Sequence, residues 1–313
     1  IVARYDIDAI HMDDYFYPYP VAGQKFDDKK SFETYAPMMG FDVKSATALG
    51  DFRRRNVDIL IKTINEDIKK AKPWVRFGIS PFGIYRNKKS WSEGSKTNGL
   101  QSYDDLYADV IRWAEEGWID YLIPQVYWEI GHQAADYQTL CKWWADHVPA
   151  RCHLYIGQSI ERSLDGAAND KPVPDLRAAN KHFSTKLNLA NSLKEVDGNC
   201  FWYAYQIEDN QFHVRDFLAK NLFPFRAMPP AFTELNAVAP DQATGLDAKL
   251  VTTTQGTALH LEWKAPKTAV DPKRNVRYYN VYRFAKGEKV EIKDMKHLYA
   301  QVDDTELYDF DLS

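Results

Sequence analysis

The sequence predicts an α/β fold: strands four to eight of a (β/α)8 TIM-like barrel, followed by a C-terminal β-sandwich module. Three observations predict it. Short apolar runs closed by turn residues or carboxylates alternate with stretches of helical periodicity, the pattern of βα units and a parallel sheet. Only five such units fit before about Phe225, whereas a closed barrel takes eight in typically about 250 residues. After Pro224 the helical stretches stop and alternating β-forming runs begin.

The first strand is expected over residues 5–12, and it ends in Asp8-Ala9-Ile10-His11-Met12-Asp13-Asp14-Tyr15-Phe16-Tyr17-Pro18. An apolar run that stops at two carboxylates and then aromatics places acids at the carboxyl end of a buried strand, where α/β barrels keep their chemistry. Further strands are expected at 76–83, 120–129, 153–158 and 200–206. Helices are expected at 52–68, at 104–116 with Ser102 as N-cap and Gly117 as stop, at 137–147 and within 184–193. A five-stranded arc leaves strand edges unpaired. The chain also opens in mid-pattern at Ile1 with no initiator Met, so about three βα units are expected to precede it in a parent protein. Met228-Pro229-Pro230-Ala231 reads as a linker, which divides the chain into 1–227 and 228–313. Leu259-His260-Leu261-Glu262-Trp263 and Tyr278-Tyr279-Asn280-Val281-Tyr282-Arg283 alternate as sandwich strands do, with Trp263 as core filler.

Composition narrows the function classes. With 313 residues, 45% hydrophobic and 27% charged, the chain can bury a large core and a smaller one. A net charge of −4 gives no basic footprint for nucleic acid or an anionic membrane. No apolar run approaches the roughly 20 residues of a membrane span. Cys141, Cys152 and Cys200 have neither zinc spacing nor an even count, which predicts buried free thiols. No cofactor is expected. An Asp pair beside His11 could begin a divalent-cation site for polysaccharide deacetylation, but His147 and His153 flank a proline and fit no ligand pair.

Strand parity sorts the candidate site residues. His11 and Asp13 point together, while Met12 and Asp14 point the other way. Asp13 is therefore the expected acid in the cleft, and Asp14 replaces it if the strand end bulges. Gln125, Tyr127 and Glu129 share parity on the later strand. Glu129 is the expected proton donor, with its pKa raised by Trp128 and by the charge of Asp13; the competing reading makes it a cap for the following helix near Ile130-Gly131. Tyr15, Tyr17, Trp128 and Trp202 are candidate stacking faces; any one alone is more often core or rim, and their clustering at strand ends is the signal. Gln125, Gln158 and Gln206 lie near strand ends, where an amide can donate to and accept from sugar hydroxyls. Aromatic faces beside paired carboxylates suit an oligo- or polysaccharide and the cleavage of its glycosidic bond.

These motifs carry a resemblance. Asp8 to Pro18, Gly78-Ile79-Ser80-Pro81-Phe82-Gly83 and Pro124-Gln125-Val126-Tyr127-Trp128 resemble the glycosyl hydrolase-like 10 family of bacterial proteins, from Ile1 to about Pro224. The resemblance implies a TIM-like barrel and an exported glycosidase (periplasmic, cell-surface or extracellular) acting on glycan chains such as those of peptidoglycan. The Asp-Ala-x-x-x-Asp frame is similar to the fourth strand of other sugar-cleaving barrels, whose second Asp is often the nucleophile. Chitinase-like barrels have a Glu two residues beyond it; Tyr15 stands there instead, against a substrate-assisted mechanism. The strand pair around Trp263 and Tyr282 resembles a fibronectin type III module whose last strands are missing. A binding protein that keeps the cleft without catalysis is the alternative of a different class.

Overall fold

The computed structural model describes residues 1–164, 176–235 and 238–311. By its internal contacts the chain divides into two compact units, Ile1–Phe217 and Leu218–Ser313. In the first, β1 (Ala9–Met12), β2 (Arg76–Ile79), β3 (Tyr121–Leu122), β4 (His153–Ser159) and β5 (Gly198–Trp202) form one curled parallel sheet. Spatial order follows chain order without a switch point. That is the order of a barrel arc; a doubly wound sheet reverses direction partway. Helices α1 (Lys29–Tyr35) and α2 (Ala48–Ala71) connect β1 to β2. Helices α3 (Ser102–Asp105) and α4 (Val110–Glu115) lead to β3, α5 (Tyr137–His147) to β4, and α6 (Ile160–Leu164) and α7 (Leu176–Ser192) to β5. Among the described residues, no helix is long and apolar enough to cross a membrane.

The two faces of the sheet differ in chemistry. Phe77, Ile79, Leu122, Leu154 and Ile156 turn toward the helices and are buried with Ile61 of α2, Trp113 of α4 and Leu140 and Trp144 of α5. Each such side chain contributes about 1.5–3 kcal/mol on burial. The opposite face carries His11, Gly78, Tyr121, Tyr155 and Gly198 at paired register positions. The His11 ring stacks on Tyr121 with centroids 5.6 Å apart, and Tyr121 meets Tyr155 edge-on at 6.1 Å. Gly78 is required because the Tyr121 ring lies across it: a Cβ there would sit 2.1 Å from Tyr121 Cζ.

Several predicted elements are altered by tertiary contacts. Residues 5–8 stay out of β1, because Arg4 and Tyr5 donate to the Ile1 carbonyl and close a turn. The single helix expected over 104–116 is two helices. Tyr107 lies between them in the left-handed region at φ 55, where its hydroxyl accepts from Arg53 at 2.8 Å. Ser102 is inside α3 and does not cap it; its hydroxyl donates to the Phe82 carbonyl, and Asp109 caps α4. In the run 120–129 only Tyr121–Leu122 forms ladder; Pro124 has no N–H to give, and Gln125 bridges Phe82 and Gly157 beyond it. The run 200–206 leaves the sheet at Trp202, and helix α8 (Ala204–Glu208) takes up Gln206. Cys141 and Cys152 are buried free thiols, as expected, but Cys200 is exposed.

The second unit is antiparallel. β6 (Thr244–Thr253), β7 (Gly256–Lys264) and β10 (Glu306–Asp309) form a sheet of order β10-β7-β6, and β8 (Tyr279–Tyr282) pairs with β9 (Leu298–Val302). The β6–β7 hairpin turns through Gly256 at φ +124. Trp263, half-buried, meets Tyr279 edge-on at 5.3 Å and so links the two sheets.

Candidate active site

Asp13 follows the last residue of β1, at the carboxyl end of the sheet. Its side chain is exposed, and its Oδ1 accepts from Gln125 Nε2 at 2.7 Å and from the Asp14 backbone N–H at 2.9 Å. Gln125 also donates to the Ser80 carbonyl at 3.1 Å, so one amide spans the ends of three strands. Beneath it, His11 Nε2 and Ser80 Oγ are 2.9 Å apart. Burial lowers the His11 pKa, and the Asp13 charge opposes that shift. Asp14 points the other way and is 3% exposed. Tyr19 donates its hydroxyl to Asp14 Oδ2. Burial raises the Asp14 pKa and outweighs that hydrogen bond, with the Asp13 charge adding to the rise. Two adjacent carboxyls thus occupy unlike environments, one open to solvent, the other buried and biased toward its proton.

Aromatic rings run across the strand ends beside this pair. Tyr15, 76% exposed, lies 5.8 Å from Tyr19 between centroids; Tyr19 meets Phe82 at 6.2 Å, and Phe82 meets Trp128 at 5.6 Å. Trp128 is seated against Gly83, where a Cβ would come within 2.7 Å of its ring. Tyr127 is partly buried, and its hydroxyl is pushed upward by burial first and by the charge of Asp13 second. Tyr17 turns aside toward Phe26, Tyr107 and Arg53.

Glu129 accepts no side-chain hydrogen bond among the described residues. The cap of α5 is Asp136, which takes Thr139 N–H at 2.7 Å and Gly131 N–H at 2.6 Å, so the capping role weighed for Glu129 belongs to Asp136. The Glu129 charge is felt by His182 and Lys186 on α7. Gln158 is wholly buried on the helix side of β4, donating to the Tyr137 hydroxyl at 2.5 Å and to Asn199 Oδ1 at 2.8 Å. Gln206 is 2% exposed and accepts from the Tyr203 N–H at the start of α8. Gln158 Nε2 is thus spent inside the protein, while Gln158 Oε1 is buried with no hydrogen-bond partner among the described residues. Trp202 is 45% exposed and lies 4.3 Å from the Tyr203 ring. Among the described residues, no group of three or more His, Cys, Asp or Glu could hold a metal ion.

Residues 1–173 of the chain match the family Glycosyl hydrolase-like 10. The chain belongs to this family. It is 39% identical over 291 residues to "Glycosyl hydrolase YngK" of Bacillus subtilis (strain 168), covering 92% of this chain and 54% of that protein. It is 41% identical over 201 residues to "Glycosyl hydrolase DigH" of Escherichia coli (strain K12), covering 63% of this chain and 43% of that protein. The chain therefore spans about half the length of these relatives. Within this glycosyl hydrolase-like chain, Asp13 and Gln125 were candidates read from sequence, and the structure hydrogen-bonds them to each other; Tyr19, Ser80 and Tyr121, which it brings beside Asp14 and His11, were not among the candidates. The signal for Tyr19 was the continuation of the aromatic run past Pro18, and for Ser80 its place in the Gly78–Gly83 motif; that both Ser80 and Tyr121 meet His11 is set only by strand register.

Proposed function

We propose that the full-length protein is a glycoside hydrolase cleaving O-glycosyl bonds in a bacterial cell-wall or related polysaccharide, outside the cytoplasm. In this reading the first unit is the carboxyl-terminal part of a complete (β/α)8 barrel, with a domain boundary near 227/228 and a fibronectin type III-like module after it. The observation that carries the reading is Asp13: an open carboxylate at a strand's carboxyl end, oriented by Gln125 and bordered by a row of aromatic faces. Family membership and relatives named glycosyl hydrolase agree with it.

Hydrolysis needs one carboxyl group to protonate the leaving oxygen and a second either to attack the sugar carbon, with water then releasing the sugar, or to take a proton from the water that attacks it. Asp13 takes the second role, since its side chain is open to a substrate and held in direction by the Gln125 N–H. Glu129, in the connection between β3 and α5 and free of a capping role, takes the first. Asp14 is the rival acid, because burial biases it toward its proton. The stereochemical outcome follows from the carboxyl separation in the full barrel: roughly 5–5.5 Å gives retention and roughly 6.5–9.5 Å inversion.

The test uses the full-length protein and counts reducing ends released from glycan strands. Asp13→Asn and Glu129→Gln should each abolish nearly all cleavage while the melting temperature barely changes. Loss on Asp14→Asn alone moves the acid to Asp14. Glycan binding without cleavage by the wild type would establish the non-catalytic alternative, and acetate released without new reducing ends, in a reaction abolished by a chelator, would establish the deacetylase.

A further inference from the structure

A groove of about 930 Å³ lies beside the carboxylates, lined by residues 17–21 and 24–29 of the long β1–α1 connection, Leu49 and Arg53 of α2, and Tyr107. Its size falls in the range of ligand pockets, roughly 300–1,000 Å³. Its place in the fold follows from chain direction. Helix α2 ends just before β2 begins, so its first turns, which carry Leu49 and Arg53, stand at the opposite, carboxyl end of the strands, where Asp13 is. Tyr19 is the shared wall: it lines the groove and gives its hydroxyl to Asp14.

The groove is organised around one cation. Arg53 is 8% exposed and forms a two-pronged ion pair with Asp28, both contacts at 2.7 Å. Its guanidinium also lies 5.4 Å from the Tyr17 ring, 5.8 Å from Phe26 and 4.8 Å from Tyr107. Three rings are thereby fixed by a planar cation whose charge Asp28 already neutralises. Phe26 nevertheless remains 51% exposed. A rigid, half-open ring over a groove fits a flat apolar partner such as a sugar face. The lining pairs Lys25, Lys29 and Arg53 against Asp27, Asp28 and Asp105, so net charge gives no attraction.

We infer that this Arg53-centred cradle is an accessory subsite for sugar residues flanking the cleaved bond, with Phe26 as its stacking face and Arg53 as its positioning residue. The inference rests on the glycan-cleaving reading above and extends it to chain-length preference.

The experiment measures binding of short and long glycan oligosaccharides to the full-length protein carrying Asp13→Asn, so that no turnover is needed. Adding Phe26→Ala should lower the ratio of long-chain to short-chain affinity about 3- to 10-fold, the size of one aromatic stacking contact. Phe26→Tyr should restore the ratio. Arg53→Lys should lower it as well, since Lys lacks the planar fork, and affinity should change little between low and moderate salt. An unchanged ratio, or a lower melting temperature with the ratio intact, overturns the subsite and makes the groove a packing surface. If the Asp13→Asn protein binds no glycan of any length, both readings fall; if it binds with an unchanged ratio, only the subsite does.

Discussion

Gln125 holds Asp13. The two residues are 112 positions apart in sequence, yet the Gln125 amide donates to Asp13 Oδ1 at 2.7 Å while also satisfying the Ser80 carbonyl. An amide can do this without adding charge, and it fixes the Asp13 carboxylate in direction. Gln125→Ala in the full-length protein should reduce kcat on glycan about 10- to 100-fold, the value of a hydrogen bond to a charged group, with little change in melting temperature. An unaltered kcat would show that Asp13 needs no such support.

Gly83 is where the site and the fold meet. A Cβ on Gly83 would lie 2.4 Å from the Gln125 carbonyl oxygen and 2.7 Å from the Trp128 ring. The first neighbour is backbone and cannot swing away. Gly83→Ala should therefore cost about 1–3 kcal/mol of stability and also lower glycan affinity by displacing Trp128. Chemical denaturation and a binding titration on the same sample check both effects.

Asp58 ties α2 to α4. It is 2% exposed and accepts from Trp113 Nε1 at 2.7 Å and from Arg112 at 3.0 Å. Asp58→Ala strands the indole N–H of a wholly buried tryptophan and removes the partner of Arg112. About 3 kcal/mol of destabilisation is expected, read as a lower denaturation midpoint. Asp58→Asn keeps the acceptor and should cost less.

Lys186 is a buried cation beside weak partners. Its ammonium lies 4.6 Å from the Tyr137 ring and donates to Ser163 Oγ at 3.1 Å. Burial lowers its pKa from 10.5 to about 7, against the upward pull of Cys141 and Glu129. A folded-state pKa below the unfolded value means that the neutral form is favoured by folding. Its stability is present above about 10.5 and is lost as pH falls to about 7. Lys186→Met should therefore raise the melting temperature over wild type by an amount that grows from pH 10 to pH 7 and then levels off. A pH-independent difference would place Lys186 in contact with water or an acid.

The βα alternation, the parallel sheet and the acids at the end of β1 were legible in the sequence because each is local: period-3.6 helices, apolar runs, and carboxylates where a run stops. Parity alone separated Asp13 from Asp14, since neighbouring strand residues face opposite ways. Helix breaks and strand ends were not legible. Tyr107 interrupts 104–116 in a left-handed conformation with its hydroxyl on Arg53, a residue far away in the chain. Gln158 and Gln206 read as strand-end amides, but what each side chain meets depends on how helices cover the sheet, and both were drawn inside. The partners of Asp13 and His11 were likewise set by register across β1, β2 and β3, which no local window contains. Local chain chemistry fixed the kind of element and the residues at its end. Only the tertiary structure, by bringing distant polar groups into hydrogen-bonding range, decided which of those residues stay open to a substrate and which are spent on the fold.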